Sequence, residues 1–393
     1  MTSRIVTKKD FSRFVAGLAK QAELWAPMKL KDADGSRFGR VKDAREVCFD
    51  YLNTKLPVKE LFFPQRELLF TFKTGTRESV QPPQPVAERI VLGVRPCDAA
   101  ALLLFDRVFM AEPLPADRQP LSAKEDRKSE IVDCRSFVDP YYQQRREKTT
   151  LVGLACNEPG PACFCTALAG SPHGSAGLDL LLVDIDERYL AVPTTDKGEK
   201  LVTGLPEAKK ADEEKAKQLA EAAGKTMKFA LDMAGLKSRL DQGFESDAWD
   251  ELALPCVNCG VCTYVCPTCH CFDVTDEEHK GKGARLRTWD SCQFALFTRH
   301  ASGHNPRPTG KDRMRQRTLH KFRYFPEAHA GLGHDPDRRH VGSCPAPLML
   351  CVGCGRCIVE CPAGIDLRET LCTLEERIKD AVQTAECKVQ KAK

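Results

Sequence analysis

One cysteine spacing occurs twice in this chain and constrains its fold more than any other feature. Cys256-Val-Asn-Cys259-Gly-Val-Cys262-Thr-Tyr-Val-Cys266-Pro267 and Cys351-Val-Gly-Cys354-Gly-Arg-Cys357-Ile-Val-Glu-Cys361-Pro362 both follow the bacterial ferredoxin pattern C-x2-C-x2-C-x3-C-P. Three thiolates at intervals of three in a tight loop reach three corners of one iron–sulfur cubane. The fourth cysteine is expected to start a helix that points elsewhere, so that paired motifs exchange their fourth ligands. The expected sets are Cys256, Cys259, Cys262 and Cys361 for one [4Fe-4S] cluster, and Cys351, Cys354, Cys357 and Cys266 for the other. Gly260 and Gly355 let backbone N–H groups approach the sulfurs, and the prolines stop the loops from winding back. Zinc also takes four thiolates, but zinc ribbons use separated C-x2-C pairs and need no third cysteine at the next interval.

The remaining composition bounds the setting. Fourteen of the twenty cysteines fall in three groups, at 156–165, 256–271 and 344–361. Secreted disulfide scaffolds use cysteine to stabilise chains too short for a core. With 393 residues, 42% of them hydrophobic, this chain can build a core, so its clustered thiols indicate metal ligation. Two or three domains are expected at this length. No stretch approaches the roughly 18 to 20 apolar residues that span a bilayer, and the N-terminus lacks the apolar segment of a signal peptide. The expectation is a cytoplasmic protein with no membrane partner. A formal charge of +4 is too mild for a dedicated nucleic-acid binder. Each thiolate-held [4Fe-4S] cluster, at roughly −2 when oxidised, would offset part of that charge.

Residues 1–205 read as an α/β domain. Thr7-x-x-Asp10 opens an amphipathic helix with Phe11, Phe14, Val15 and Leu18 on one face. Arg89–Val94 predicts a buried strand, Asp98–Phe105 a helix, Thr150–Ala155 a second strand, and Asp179–Asp184 with Tyr189–Pro193 a strand pair. Residues 206–250 turn rich in Ala, Lys and Glu and predict a solvated helical linker. Residues 251–393 predict a ferredoxin-like dicluster domain with a long basic insert at 276–345, which holds fourteen Lys and Arg against eight acids. Beyond it, Leu367, Leu371, Leu374 and Ile378 keep helical spacing.

Four further cysteines form a second constellation. Cys97 lies between a predicted strand and helix, where the helix N-terminus would favour its thiolate, and Cys156 follows the second strand. If those strands are parallel neighbours, both thiols emerge at the carboxyl edge of the sheet, where open α/β sheets place ligands. Cys163 and Cys165 on the following loop complete four ligands for a third [4Fe-4S] cluster, with zinc or inert thiols as alternatives. Cys269, Cys271, Cys292 and Cys344 lie near the ferredoxin motifs and read as small buried residues or as another metal site. Cys48, Cys134, Cys372 and Cys387 are isolated. The run Arg313-x-Arg315-x-Arg317 with Lys321 and Arg323 reads as a solvated, cluster-facing or partner-facing surface, and less readily as a phosphate or RNA site. The histidines at 300, 304, 320, 329, 334 and 340 lack paired metal spacing.

Equally informative is the lack of a G-x-G-x-x-G after a strand, or of a P-loop. A chain with cluster ligands but no flavin or nucleotide signature can store and pass electrons, and needs partners to couple them to chemistry. The chain resembles the iron–sulfur beta subunit of cytoplasmic sulfhydrogenases, which are NAD(P)-linked nickel–iron hydrogenases, and the related A subunit of anaerobic sulfite reductase. The resemblance covers nearly the whole chain. It is carried by Lys59-Glu-Leu-Phe-Phe-Pro64 with Glu67, Gly93-Val-Arg-Pro-Cys-Asp98, Cys163-Phe-Cys165, the two ferredoxin motifs, Trp289-Asp-Ser-Cys292, Asn305-Pro-Arg307 and His320-Lys-Phe322. It implies an electron relay between a flavin and NAD(P)-binding subunit and a catalytic subunit of hydrogenase or sirohaem sulfite reductase type, with catalysis residing elsewhere. The alternatives are a self-sufficient reductase of a sulfur compound and a nucleic-acid-binding iron–sulfur protein.

Overall fold

The structure, a computed structural model, describes residues 1–75, 79–111, 137–230, 232, 235–329 and 349–378. Cys134, Cys344, Cys387, His334 and His340 lie outside the described residues. In chain order the strands are β1 (Arg4–Thr7), β2 (Glu23–Lys29), β3 (Ser36–Arg40), β4 (Arg66–Lys73), β5 (Arg89–Val94) and β6 (Met110–Ala111). They continue with β7 (Phe137–Val138), β8 (Thr149–Leu154), β9 (Leu180–Asp184), β10 (Arg188–Pro193), β11 (Phe272–His279) and β12 (Lys282–Trp289). Seven strands form one sheet in the order β1-β10-β9-β8-β5-β2-β3. Its centre is parallel, β2 with β5, β5 with β8 and β8 with β9, and its margins are antiparallel.

Every residue of β5 is buried, as expected of a strand covered on both faces. Ile90 and Leu92 face a layer containing Phe11, Val15 and Leu18 of the helix Phe11–Gln21. Val91 and Val94 face the other layer, with Leu102, Phe105 and Phe109 of the helix Pro96–Phe109 and with Tyr142. At Gly93, φ +83°, the β5–β8 register slips by one residue, and a Cβ there would come within 3.0 Å of Pro27. That slip ends the strand and turns the chain into Arg95-Pro96-Cys97, with Pro96 in the first helical turn, where its missing N–H costs nothing.

The charged stretch 206–250 is divided between two cores. The helix Lys210–Thr226 lays Ala216 and Leu219 against the sheet's core, and its buried Asp212 bonds Arg188 at 3.1 Å. The helices Leu236–Gln242 and Ala248–Ala253 instead join a second core, with Trp249, Met314, Phe322, Leu367, Leu371 and Leu374. Part of the basic insert also returns to the N-terminal half. β11 and β12 form a hairpin that extends β4 into a three-stranded sheet, fixed by Arg287, which bonds Glu67 Oε2 at 2.8 Å through Nε and also contacts Asp139. Among the described residues, no helix is long and apolar enough to cross a membrane.

The second ferredoxin motif is bolted to the N-terminal half. Arg356, between Cys354 and Cys357, makes a two-pronged bond to Asp98 at 2.6 and 2.8 Å, and both side chains are essentially solvent-free, at 2% and 1% exposure. The Arg356 Nε donates to Thr54 O at 2.9 Å, Asn53 donates to Cys354 O at 3.0 Å, and Lys55 pairs with Glu360 at 2.7 Å. Removing one partner of a buried pair strands the other charge, at a cost of roughly 3 to 5 kcal/mol. Asp98→Ala is therefore expected to lower the unfolding free energy of the apo chain by that order. Adding Arg356→Met should recover a substantial part of the loss, as read by tryptophan fluorescence in urea.

Candidate metal centres

The two motifs fold as near copies. Gly260 (φ +75°, ψ −7°) and Gly355 (φ +76°, ψ −9°) adopt the left-handed conformation and begin the four-residue helices Val261–Tyr264 and Arg356–Val359. Both positions are also crowded. A Cβ would come within 2.6 Å of the Phe294 ring at Gly260 and 2.5 Å of Ala162 O at Gly355. The short helix carries the third cysteine of each motif, and the fourth follows its end instead of starting a helix. The physical reason is the proline after it, which pushes the preceding cysteine out of the helical region.

Two cavities lie between the loops. The first, about 510 Å³ including its open mouth, is lined by Cys256, Cys259, Cys262 and Cys361, with Cys357, Gln293, Met314 and Arg317 on its wall. The second, about 300 Å³, is lined by Cys266, Cys351, Cys354 and Cys357, with Phe164 and Lys321. The fourth cysteine of each motif thus faces the cavity of the other, and Cys357 borders both. Four thiolates on a single zinc would sit about 3.8 Å apart, as Zn–S bonds of about 2.3 Å require. Among the described residues no three Cys, His, Asp or Glu side chains converge in that way. Thiols spaced around a cavity suit a polynuclear group better than one ion.

Burial sets the protonation of several of these thiols. It pushes Cys262 and Cys351 up to about 12, so without a metal they stay protonated, and metal binding must expel their protons. Cys266 is shifted the other way. A hydrogen bond from Cys269 draws it well below the ordinary thiol value, helped by the Lys321 and Lys59 ammonium groups. The Lys321 Nζ lies 3.2 Å from Cys266 Sγ and 3.5 Å from Cys269 Sγ. Lys59 is also buried, donating to Cys269 O at 2.8 Å from 4.1 Å above the Trp289 ring.

The N-terminal four lie against the second cavity. β5 and β8 are parallel neighbours, and Arg95, just past the end of β5, ties it to the end of β8 by donating to Ala155 O at 2.9 Å, while also donating to Leu52 O at 3.0 Å. Cys97 and Cys156 emerge there. Phe164 N–H donates to Gly353 O at 2.8 Å, and Cys163 Sγ lies 3.8 Å from Cys354 O. Gly353, φ +63°, has no room for a side chain, since a Cβ would be 2.5 Å from the backbone of Cys165. The four thiols are close enough to feel one another: Cys165 is pushed up to about 12 by burial and then by Cys156 and Cys163, and Cys156 lies in the field of Cys163. The expectation that the helix N-terminus favours a Cys97 thiolate is overturned. Burial, and then the neighbouring Asp98 carboxylate, hold that thiol well above its ordinary value.

Of the remaining thiols, Cys269 bonds Cys266, and Cys271 bonds Cys292. His270 is held by Thr268 O at 3.0 Å and driven down to about 4 by burial. Cys48 is buried apart from the group and Cys372 is exposed. The basic run splits by helical side. On the helix Gly310–Leu319 and its π-turn extension His320–Tyr324, Arg313, Arg317 and Lys321 are buried. Arg315 pairs outward with Asp312 and Glu245, and Arg323 with Asp241 and Glu327. Only the four-residue interval linking Arg313, Arg317 and Lys321 separates these two groups in the sequence. Lys59 stands in the sequence only as part of the Lys59–Pro64 motif of the family resemblance, with nothing local to show that it is buried.

Comparison with known proteins gives the chain a family. Residues 255–365 match a family described as a 4Fe-4S dicluster domain. No solved structure matches the chain. Over 361 residues, 91% of this chain and 93% of the relative, it is 30% identical to the sulfhydrogenase 2 subunit beta of Pyrococcus furiosus. A chain that shares its length with that subunit, and whose thiol-lined cavities fall within a 4Fe-4S dicluster domain, belongs to the family of sulfhydrogenase iron–sulfur beta subunits.

Proposed function

We propose that this chain passes electrons between a flavin and NAD(P)-binding partner and a catalytic subunit of hydrogenase or sulfite reductase type, through three [4Fe-4S] clusters and no flavin or nucleotide of its own. One observation carries the reading: each cavity between the ferredoxin loops is lined by three cysteines of one motif and the fourth of the other. Cys256, Cys259, Cys262 and Cys361 hold one cluster, Cys351, Cys354, Cys357 and Cys266 the second, and Cys97, Cys156, Cys163 and Cys165 the third. Such clusters supply one-electron storage and transfer.

The protein's own part is to hold these groups in a row and keep water away. Phe164, flanked in sequence by Cys163 and Cys165, lines the second cavity, and Cys357 is common to the second and first. Cys259 is exposed, and Val257 and Leu254 beside it are 65% and 86% exposed. The first cavity is therefore the end that meets a partner. The buried thiols need a reducing compartment to stay free for iron, which fits a cytoplasmic setting.

Three outcomes are expected. Cys266→Ser should damage the cluster of the second motif and spare that of the first, as followed by electron paramagnetic resonance; damage confined to the first would refute the exchange of ligands. Reconstituted wild-type protein should hold about twelve irons and the Cys163→Ser/Cys165→Ser variant about eight; equal iron contents would remove the third cluster. NAD(P)H alone should leave the isolated, reconstituted chain oxidised. Bleaching of its visible absorbance without a partner would place a nucleotide site on this chain and defeat the relay assignment.

A further inference from the structure

Arg317 is a buried cation without a counter-anion among the described residues. It is 6% exposed, and its Nε and Nη2 are buried with no hydrogen-bond partner. The buried guanidinium groups of Arg356 and Arg95, by contrast, are satisfied, Arg356 by Asp98 and Thr54, Arg95 by main-chain carbonyls. Arg317 has around it the thiols of Cys262, Cys357, Cys269 and Cys266, and it lines the first cavity. An arginine cannot shed its proton, and an unpaired buried charge is among the costliest features a fold can carry. Its persistence points to a negative group in the cavity it faces.

The same helix does this twice. Four residues on, Lys321 is 2% exposed and lines the second cavity, donating to Cys266 Sγ at 3.2 Å, Thr268 Oγ1 at 3.1 Å and Leu350 O at 3.1 Å. The α-helix widens into a π-turn at His320–Tyr324, a local insertion common at functional sites. Two cations one turn apart are thereby delivered to two cavities.

We propose that Arg317 and Lys321 are fixed charge-compensating donors, one for each centre of the dicluster domain, and that Arg317 raises the reduction potential of the centre in the first cavity. The inference rests on the cluster assignment proposed above. Net charge and hydrogen bonds to sulfur are two of the terms that set such potentials, and a positive charge nearby favours the form carrying the added electron. Because the guanidinium forks two ways, it can donate N–H groups while keeping its charge.

The test is a redox titration of the cluster-loaded full chain, followed by electron paramagnetic resonance with iron counted per chain, on wild type, Arg317→Gln and Arg317→Lys. With iron retained, Arg317→Gln should make one centre at least tenfold harder to reduce, about 59 mV for one electron, and Arg317→Lys should restore most of that shift. Lys321→Met should displace the other centre. Loss of iron from the glutamine variant alone also supports the role of the charge. Unchanged potentials in Arg317→Gln, or equal loss of iron from the glutamine and lysine variants, would overturn the proposal by reducing Arg317 to packing. A wild-type chain that takes up no [4Fe-4S] cluster would fail at iron analysis, and would overturn the cluster assignment itself.

Discussion

The buried bond between Arg356 and Asp98 is the constraint on which the arrangement depends. Asp98 stands next to Cys97 at the start of the helix that leaves the central sheet, and Arg356 stands between two cysteines of the second ferredoxin loop. A two-pronged bond at 2.6 and 2.8 Å fixes orientation as well as distance. Thiols from opposite ends of the sequence are thereby held on either side of one backbone loop. The close approach of Gly353 and Gly355 to residues 162–165 follows from that, since neither glycine could come so near if the two halves were free to separate.

Charge is the second organising principle. The interior holds Lys59, Arg95, Arg317, Lys321 and Arg356, each under 9% exposed, among thiols that burial tends to keep neutral. Without anions beside them these cations would weigh against folding. The chain meets part of the cost with Asp98 and with main-chain carbonyls, and leaves the rest concentrated around the two cavities. Its mild formal charge of +4 therefore conceals an uneven interior, in which carboxylates offset the cations elsewhere and positive charge gathers around the two cavities.

Legibility in the sequence followed from how local each determinant is. The strands around Ile90 and Leu151 announced themselves as apolar runs, and the left-handed glycines with their cysteines as fixed spacings. The helix at 367–378 was readable because Leu367, Leu371, Leu374 and Ile378 recur on one side. The hairpin of β11 and β12 was not, since β11 is exposed throughout and its sheet is completed by β4, some two hundred residues earlier, where no local pattern can signal the pairing. Lys280 and Gly281, both with positive φ, make the tight turn between the two strands. The stretch 206–250 looked like one solvated linker because Ala, Lys and Glu describe helix well and say little about what a helix packs on. Buried Arg317 was hidden by its own chemistry, as a guanidinium reads as surface until its surroundings are known.

Cys361 borders the cavity of a motif that begins at Cys256, and this has a consequence for biosynthesis. While the ribosome is still making residues 267–350, the first loop has three of its thiols and lacks the fourth wall of its chamber. The second loop, when it emerges, closes both chambers at once. On the cluster assignment proposed above, the chain must therefore leave the ribosome nearly complete before either chamber can take up iron, and a product truncated before the second loop would have thiols with no closed chamber around them.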